Sequence, residues 1–192
     1  MKNLLLFLVF ACTFSFSCLG SPVPFSPIVR NYSVLDYNAG NENWAVAQDE
    51  RGVMYFGNNS GLLRYDGSRW KLFPLPTSGI VRAVYVASDR RIYVGSFEEF
   101  GYFEQNDLNL LEYHSLKEQV KGFDFHNDEI WTIVEQGGNI IFQSFGSYFI
   151  YDGKGTKGVR CPELPLNLFR IGDTLYSLSL IHISEPTRLA LI

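Results

Sequence analysis

Several residue types are too scarce in this 192-residue chain to support the functions that depend on them. Two of the three cysteines, Cys12 and Cys18, fall within the first twenty residues, which leaves Cys161 alone. One thiol cannot form an internal disulfide, so no covalent staple is expected, and with no histidine near it in sequence Cys161 reads as a packed thiol. Histidine is as rare: His114, His126 and His182 stand apart, with no Cys or His at ligand spacing, so no metal site is expected. Positive charge is also short. Sixteen Lys and Arg against twenty Asp and Glu give a net charge of −4, which provides no field for nucleic acid. Beyond residue 20 no segment keeps a helical 3.6-residue period, and no glycine-rich loop joins a strand to a helix. Gly137-Gly138-Asn139 and Gly153-Lys154-Gly155 read as turns, so no nucleotide cofactor is implied.

The start of the chain has its own character. Met1-Lys2-Asn3 is a short positive opening, Leu4 to Phe16 is an apolar run, and small residues cluster at Ser17, Cys18 and Gly20. These are the three regions of a secretory signal peptide, too short for a comfortable membrane span. Cleavage is expected after Gly20; lipidation of Cys18 is the alternative. A proline-rich lead over residues 21–30 follows, carrying Pro22, Pro24 and Pro27.

From there the chain is short alternating strands punctuated by turns. Trp44 to Asp49, Val53 to Gly57, Leu62 to Tyr65 and Trp70 to Phe73 read as four strands. Glu50-Arg51-Gly52, Asn58 to Gly61 and Asp66-Gly67 separate them, and such Asn- and Asp-Gly-rich turns are a strong hairpin signal. The unit then repeats through Val81 to Val86, Ile92 to Gly95, Phe100 to Phe103 and Leu110 to Tyr113. A third, looser copy spans Val120 to Phe125, Glu129 to Ile133 and Asn139 to Phe142, with Ser147 to Gly153 resembling a third strand. A fourth begins at Leu168. Gly57 and Gly95 hold corresponding places, separated by about the roughly 40 residues of a four-stranded propeller blade. Four short strands cannot bury both faces of their own sheet, whereas blades stacked around an axis can. The expected fold is therefore all-β: a partial β-propeller of about three to four four-stranded antiparallel blades over residues 31–177.

The residues from about Asn31 to Phe103 resemble the two-component-regulator propeller family. The resemblance rests on Trp44 to Gly52, Tyr55-Phe56-Gly57 and Gly61 to Gly67. Gly95 to Phe103 is similar to a variant found in regulators that also carry a triple-tyrosine domain. It implies a non-catalytic propeller on the periplasmic side of the inner membrane, followed by a β-sandwich and one membrane helix. A histidine kinase or LuxR-type output, a membrane-anchored dimer and a small-molecule or oligosaccharide ligand are implied with it. The end of the chain departs from this pattern. Leu178 to Arg188 resembles the conceptual translation of a transposase-type sequencing adapter, so residues 178–192 are expected to be a non-native tail. About three and a half blades then remain, whereas closure takes roughly four to eight. An open fan leaves unpaired edges, and this polypeptide is expected not to fold stably alone.

Catalytic constellations are weak. Glu98 and Glu99 invite comparison with a paired-carboxylate site, but neighbours on a strand point to opposite faces, and solvated turn carboxylates are the favoured reading. No residue is assigned a catalytic role. The aromatics Trp44, Tyr65, Trp70, Tyr102 and Trp131 recur at related blade positions and are the candidate ligand-binding residues. Most such rings pack between blades, but those near the axis can stack on sugar rings. The leading expectation is a glycan-responsive sensor propeller. A secreted propeller lyase or glycosidase, or a protein-binding scaffold, is the alternative.

Overall fold

The structure is a computed structural model that describes residues 28–77, 79–108, 110–161, 165–179 and 187–188. The expected signal peptide, nearly all of the proline-rich lead and most of the tail lie outside these residues. The chain divides into two units, Met1–Asn31 and Tyr32–Ile192. Of the first, residues 28–31 are described and form no regular element.

The second unit opens with a single helical turn, α1 (Val34–Tyr37), and continues almost entirely as strands. β1 (Asn43–Gln48), β2 (Met54–Asn58), β3 (Gly61–Tyr65) and β4 (Trp70–Phe73) form the first sheet, in that order. β5 (Ala83–Val86), β6 (Ile92–Gly95), β7 (Phe100–Gln105) and β8 (Leu111–Ser115) form the second. β9 (Thr132–Gln136), β10 (Asn139–Gln143), β11 (Ser147–Tyr151) and β12 (Thr156–Arg160) form the third. β13 (Pro165–Ile171), β14 (Thr174–Ser179) and the two-residue β15 (Thr187–Arg188) form a three-stranded fourth. Every pairing is antiparallel and every sheet is a meander. β1 touches β5, β5 touches β9, and β9 touches β13, so the first strands of the sheets gather around a common axis. This is a partial β-propeller, with the sheets as blades.

The blades cohere because alternate strand residues serve opposite neighbours. Ile92 and Val94 of β6 pack into the core shared with Val53, Tyr55 and Leu62 of the first blade. Tyr93 between them points the other way, into the core shared with Ile140, Phe142 and Phe149 of the third. Ile141 faces away from that core, toward Leu168 and Leu175 of the fourth. Backbone hydrogen bonds stitch the same joints. Val81 N–H donates to the Asn58 carbonyl, and Ile130 N–H, at the matching place, donates to that of Ser96. This close approach explains the two glycines. A Cβ on Gly57 would stand 2.7 Å from the Val81 carbonyl oxygen, and one on Gly95 would overlap the Ile130 side chain.

Asx turns close the hairpins. Asp49 Oδ1 accepts the Arg51 and Val53 amides, Asp66 Oδ1 those of Ser68 and Arg69, and Asp152 Oδ1 those of Lys154 and Gly155. A side chain that bonds the backbone two or three residues on sets the turn locally, so these turns are readable in sequence.

The third repeat differs from its expected outline. Val120–Phe125 is an irregular strap instead of a strand, interrupted by Gly122 at φ 68°. The blade begins at Thr132, and its outer strand is β12, whose polar Thr-Lys-Gly-Val-Arg sequence lacks alternation. The second repeat is offset by one residue: Ala45 pairs with Gly57 and Ala83 with Gly95, so Arg82, and not Val81, corresponds to Trp44. β14 runs to Ser179, across the boundary set at residue 177.

Candidate functional site

Gly57, Gly95 and Gln143 pair with Ala45, Ala83 and Thr132, and the residues just ahead of these partners are Trp44, Arg82 and Trp131. These three converge. The Arg82 guanidinium lies over the Trp44 ring at 3.7 Å and over the Trp131 ring at 5.2 Å. The two indoles meet edge to face with centroids 6.3 Å apart. Since they come from the first and third blades, they reach past the second, which places the cluster at the axis. Phe145 extends it, 5.7 Å from Trp131.

Polar contacts fix the arrangement. Trp44 Nε1–H donates to Asn59 Oδ1 at 2.7 Å, and Asn59 Nδ2–H donates to Glu42 Oε2. Arg82 Nε–H donates to Glu129 Oε1 at 2.7 Å, so the cation is balanced within the cluster. Two phenylalanines sit at matching hairpin tips, Phe97 after Ser96 and Phe145 after Ser144. They are 52% and 48% exposed, and Trp44 is 44% exposed. Rings this open contribute little to the blade cores, and the cation stacked on Trp44 holds its plane in place.

A strap over residues 120–131 presents Glu129 and Trp131. Phe123 packs its ring over Gly158 and contacts Phe149 edge to face, while Phe125 stacks on Phe149 at 5.3 Å. Arg160 clamps the strap from β12. Its Nη1 donates to Asp128 Oδ2 at 3.2 Å and to Ser147 Oγ at 2.9 Å, its Nη2 donates to the Asp124 carbonyl, and its guanidinium lies over Phe123. Burial pushes the Asp128 carboxyl up, but hydrogen bonds from Ser144, the His126 amide and Ser147, with the Arg160 charge, hold it below its usual value.

The structure sends the five candidate aromatics to three places. Trp44 and Trp131 meet at the axis. Trp70 and Tyr65 stack on each other at 4.3 Å on the outer strands of the first blade, with Tyr32, Tyr37 and Phe56 around Trp70. Tyr102 packs between the second and third blades against Tyr93, His114 and Tyr151, under the Arg91 guanidinium. Arg82, Phe97 and Phe145 were missed. Their signal is their place in the repeat, visible once Gly57 and Gly95 are aligned in the register found here.

Glu98 and Glu99 are separated by environment, and Glu99 corrects the expectation of a solvated carboxylate. It is 7% exposed and accepts hydrogen bonds from Tyr113 Oη at 2.7 Å and Ser115 Oγ at 2.8 Å. Burial, and then the Glu99 charge, pushes the Tyr113 hydroxyl up, keeping it protonated as the donor. Glu98 sits at φ 47°, accepts the Asn127 amide and lies 3.8 Å from Lys117 Nζ. Across the propeller, a cleft of about 810 Å³ is lined by the β1–β2 and β5–β6 turns, including Asp49, Arg51, Asp89, Arg91 and Glu135. Most of its charges are paired: Asp49 with Arg51, Arg91 with Asp89 and Glu104, and Glu135 with Ser88. Among the described residues no group of three or more His, Cys, Asp or Glu gathers to hold a metal, and no helix is long and apolar enough to cross a membrane.

The fold and axial cluster together define an open section of a β-propeller whose first-strand starts carry an exposed aromatic ledge. Solved structures with this fold include a catalytically inactive virginiamycin B lyase of Staphylococcus aureus bound to quinupristin. That protein is 11% identical, with a TM-score of 0.60, over 78% of this chain and 52% of its own. The extracellular domain of a hybrid two-component system from B. thetaiotaomicron is 14% identical, with a TM-score of 0.57, over 78% of this chain and 21% of its own. YCF48 from Cyanidioschyzon merolae is 16% identical, with a TM-score of 0.53, over 72% of this chain and 48% of its own. The chain thus spans about half the length of the lyase and about a fifth of the sensor ectodomain. No protein-family model and no curated protein matches the sequence.

Proposed function

We propose that this chain is the opening section of an exported, non-catalytic sensor propeller belonging to a membrane-anchored signalling regulator, with an oligosaccharide as its ligand. The observation that carries the reading is the axial cluster. Trp44, Arg82 and Trp131, from one repeat position, form with Phe145 a largely aromatic surface that the blade cores do not use, with the exposed Phe97 at the bridge to Glu129. Apolar sugar faces stack on such rings while hydroxyls bond the polar groups among them. Binding there would favour one arrangement of a dimeric ectodomain and so bias the output across the inner membrane. The likeness to two-component-system ectodomains supports this reading at the level of fold.

The test is calorimetry of the complete ectodomain against a panel of oligosaccharides, with Trp44→Ala beside the wild type. Saturable heat that the substitution removes is the expected result. Silence across the panel would overturn the reading. The likeness to lyases supports a second reading, a secreted propeller lyase or glycosidase. Turnover of a panel member by the ectodomain, lost on Glu98→Gln, would establish it in place of the first.

A further inference from the structure

The axial cluster has polar atoms to spare, and most of them are donors. Among the described residues, Arg82 Nη1 and Trp131 Nε1 are buried without a hydrogen-bond partner, and so is Ser96 Oγ. The three belong together. Arg82 lies 5.2 Å from the Trp131 ring, and Ser96 stands opposite Arg82 across β5 and β6, one step beyond the Ala83–Gly95 pair. Ser96 also shares the joint with the strap, its carbonyl accepting the Ile130 amide next to Trp131. A buried donor without an acceptor is costly, and several in one place call for an acceptor from outside the chain. The Arg82 side chain keeps 15% of its surface in solvent and Trp44 and Phe145 are about half exposed, so the group is shielded but reachable.

Charge narrows the class of acceptor. Glu129 already balances Arg82, and Glu42 sits one hydrogen bond behind Asn59 on the Trp44 side. A ligand carboxylate or sulfate would answer the donors but add a negative charge to two already there. A neutral carbonyl oxygen answers them without that cost, and its two lone pairs can take both the guanidinium and the indole N–H. The surrounding rings suit an apolar group attached to that carbonyl.

Resting on the oligosaccharide reading, we infer that the ligand is an N-acetylated amino sugar whose acetamido carbonyl accepts from Arg82 Nη1 and Trp131 Nε1. Its methyl group and ring face pack on Trp44 and Phe145. The acetamido N–H is a donor that the carboxylate of Glu129 can accept.

A matched pair of probes tests this. Chitotriose and cellotriose share β-1,4 geometry and neutrality and differ in an acetamido group against a hydroxyl; trigalacturonic acid supplies the anionic arm and an N-acetylated dipeptide amide the non-sugar arm. Calorimetry on the complete ectodomain should show chitotriose binding at least tenfold tighter than cellotriose or trigalacturonate, with the dipeptide silent. Trp131→Phe removes the indole N–H and keeps a smaller aromatic ring in its place. It should lower chitotriose affinity toward that of cellotriose and weaken cellotriose far less, a selective loss that general damage to the fold would not produce. Arg82→Lys, which retains the charge but not Nη1, should act in the same direction. Equal binding of the two neutral trisaccharides, tighter binding of trigalacturonate, or binding of the dipeptide overturns the N-acetyl sugar inference and leaves the oligosaccharide site standing in the first two cases. An acetamido preference that survives both variants overturns the assigned donors. Silence from every saccharide overturns the oligosaccharide reading together with the inference.

Discussion

Two clusters of aromatic rings, each built around tryptophan, are put to different uses by the same blade. On the outer strands of the first blade, Trp70 is enclosed by Tyr65, Tyr32, Tyr37 and Phe56, all within 5.6 Å between centroids. The phenols are tied as well, Tyr32 to Tyr65 at 2.6 Å and Tyr65 to the Gly67 carbonyl. At the axis Trp44 has a cation on one face, a single indole edge beside it, and nearly half its surface in water. Sequence spacing alone makes Trp44 and Trp70 look equivalent. What separates them is what covers the ring: other rings at the rim, an ion pair and solvent at the axis. The rim therefore holds the fold, and the axis is left free to hold something else.

The largest test of that division concerns the fan as a whole. Four blades share three interblade cores, and both end blades leave apolar residues uncovered. Val46 on β1 and Phe169 and Ile171 on β13 are each more than 40% exposed. The rim cluster covers the outer strands of the first blade, but no described blade covers Val46, Phe169 or Ile171. The isolated polypeptide should therefore melt without a cooperative transition and bind the dye ANS. A sharp, two-state melt from a monomer would show that rim packing alone stabilises the open fan.

Next in size is the paired substitution. Trp70→Ala, at a half-buried ring with four aromatic neighbours, should cost the ectodomain about 2–3 kcal/mol in urea unfolding, with no change in ligand affinity of the folded fraction. Trp44→Ala should cost no more than about 1 kcal/mol and abolish binding. The reverse pattern would exchange the roles of the two clusters.

Much of the frame was legible because it is local. The turns at Asp49, Asp66 and Asp152 fix themselves through their own side chains, and the glycines at 57 and 95 mark where a neighbouring backbone passes. β6 reads as a continuous apolar run because its two faces fill two interblade cores. The strap resembles a strand in sequence because Phe123 and Phe125 alternate about Asp124. Their cover comes from the core around Phe149 and, for Phe123, from Gly158 and Arg160, all distant in sequence. Arg82 was missed for a related reason. A one-residue offset in the repeat hides its equivalence with Trp44, and only strand pairing resolves it.

Acid should distinguish the clusters more gently. Asp128 anchors the strap behind the axial site, and its carboxyl is held below the unfolded value of about 3.9. A depressed folded pKa contributes stability above the unfolded value and loses it as pH falls through the folded one. The nearest depressed carboxylate to the rim, Asp66, lies in a surface turn and adds little. As pH falls below about 4, hydrogen exchange should quicken in β9 and the strap before it does in β4. Asp128→Asn should remove that difference. Simultaneous loosening of both regions would show that the strap does not depend on Asp128.

The smallest expected effect is the most discriminating for the site. Phe97 and Phe145 occupy matching hairpin tips, and each keeps about half its surface in solvent. Phe145 contacts Trp131, whereas Phe97 has no ring partner among the described residues and its backbone is bridged to Glu129. Substituting either by alanine should change unfolding free energy by no more than about 0.5 kcal/mol, the range of an ordinary surface position. Ligand affinity should separate them. Phe145→Ala removes a ring from the cluster and should weaken binding several-fold. Phe97→Ala should weaken it less, since it trims the rim of the ledge beside Glu129. Equal, large losses of stability would mean that the tips are part of the core after all, and the contrast between an enclosed rim and an open axis would fail with them.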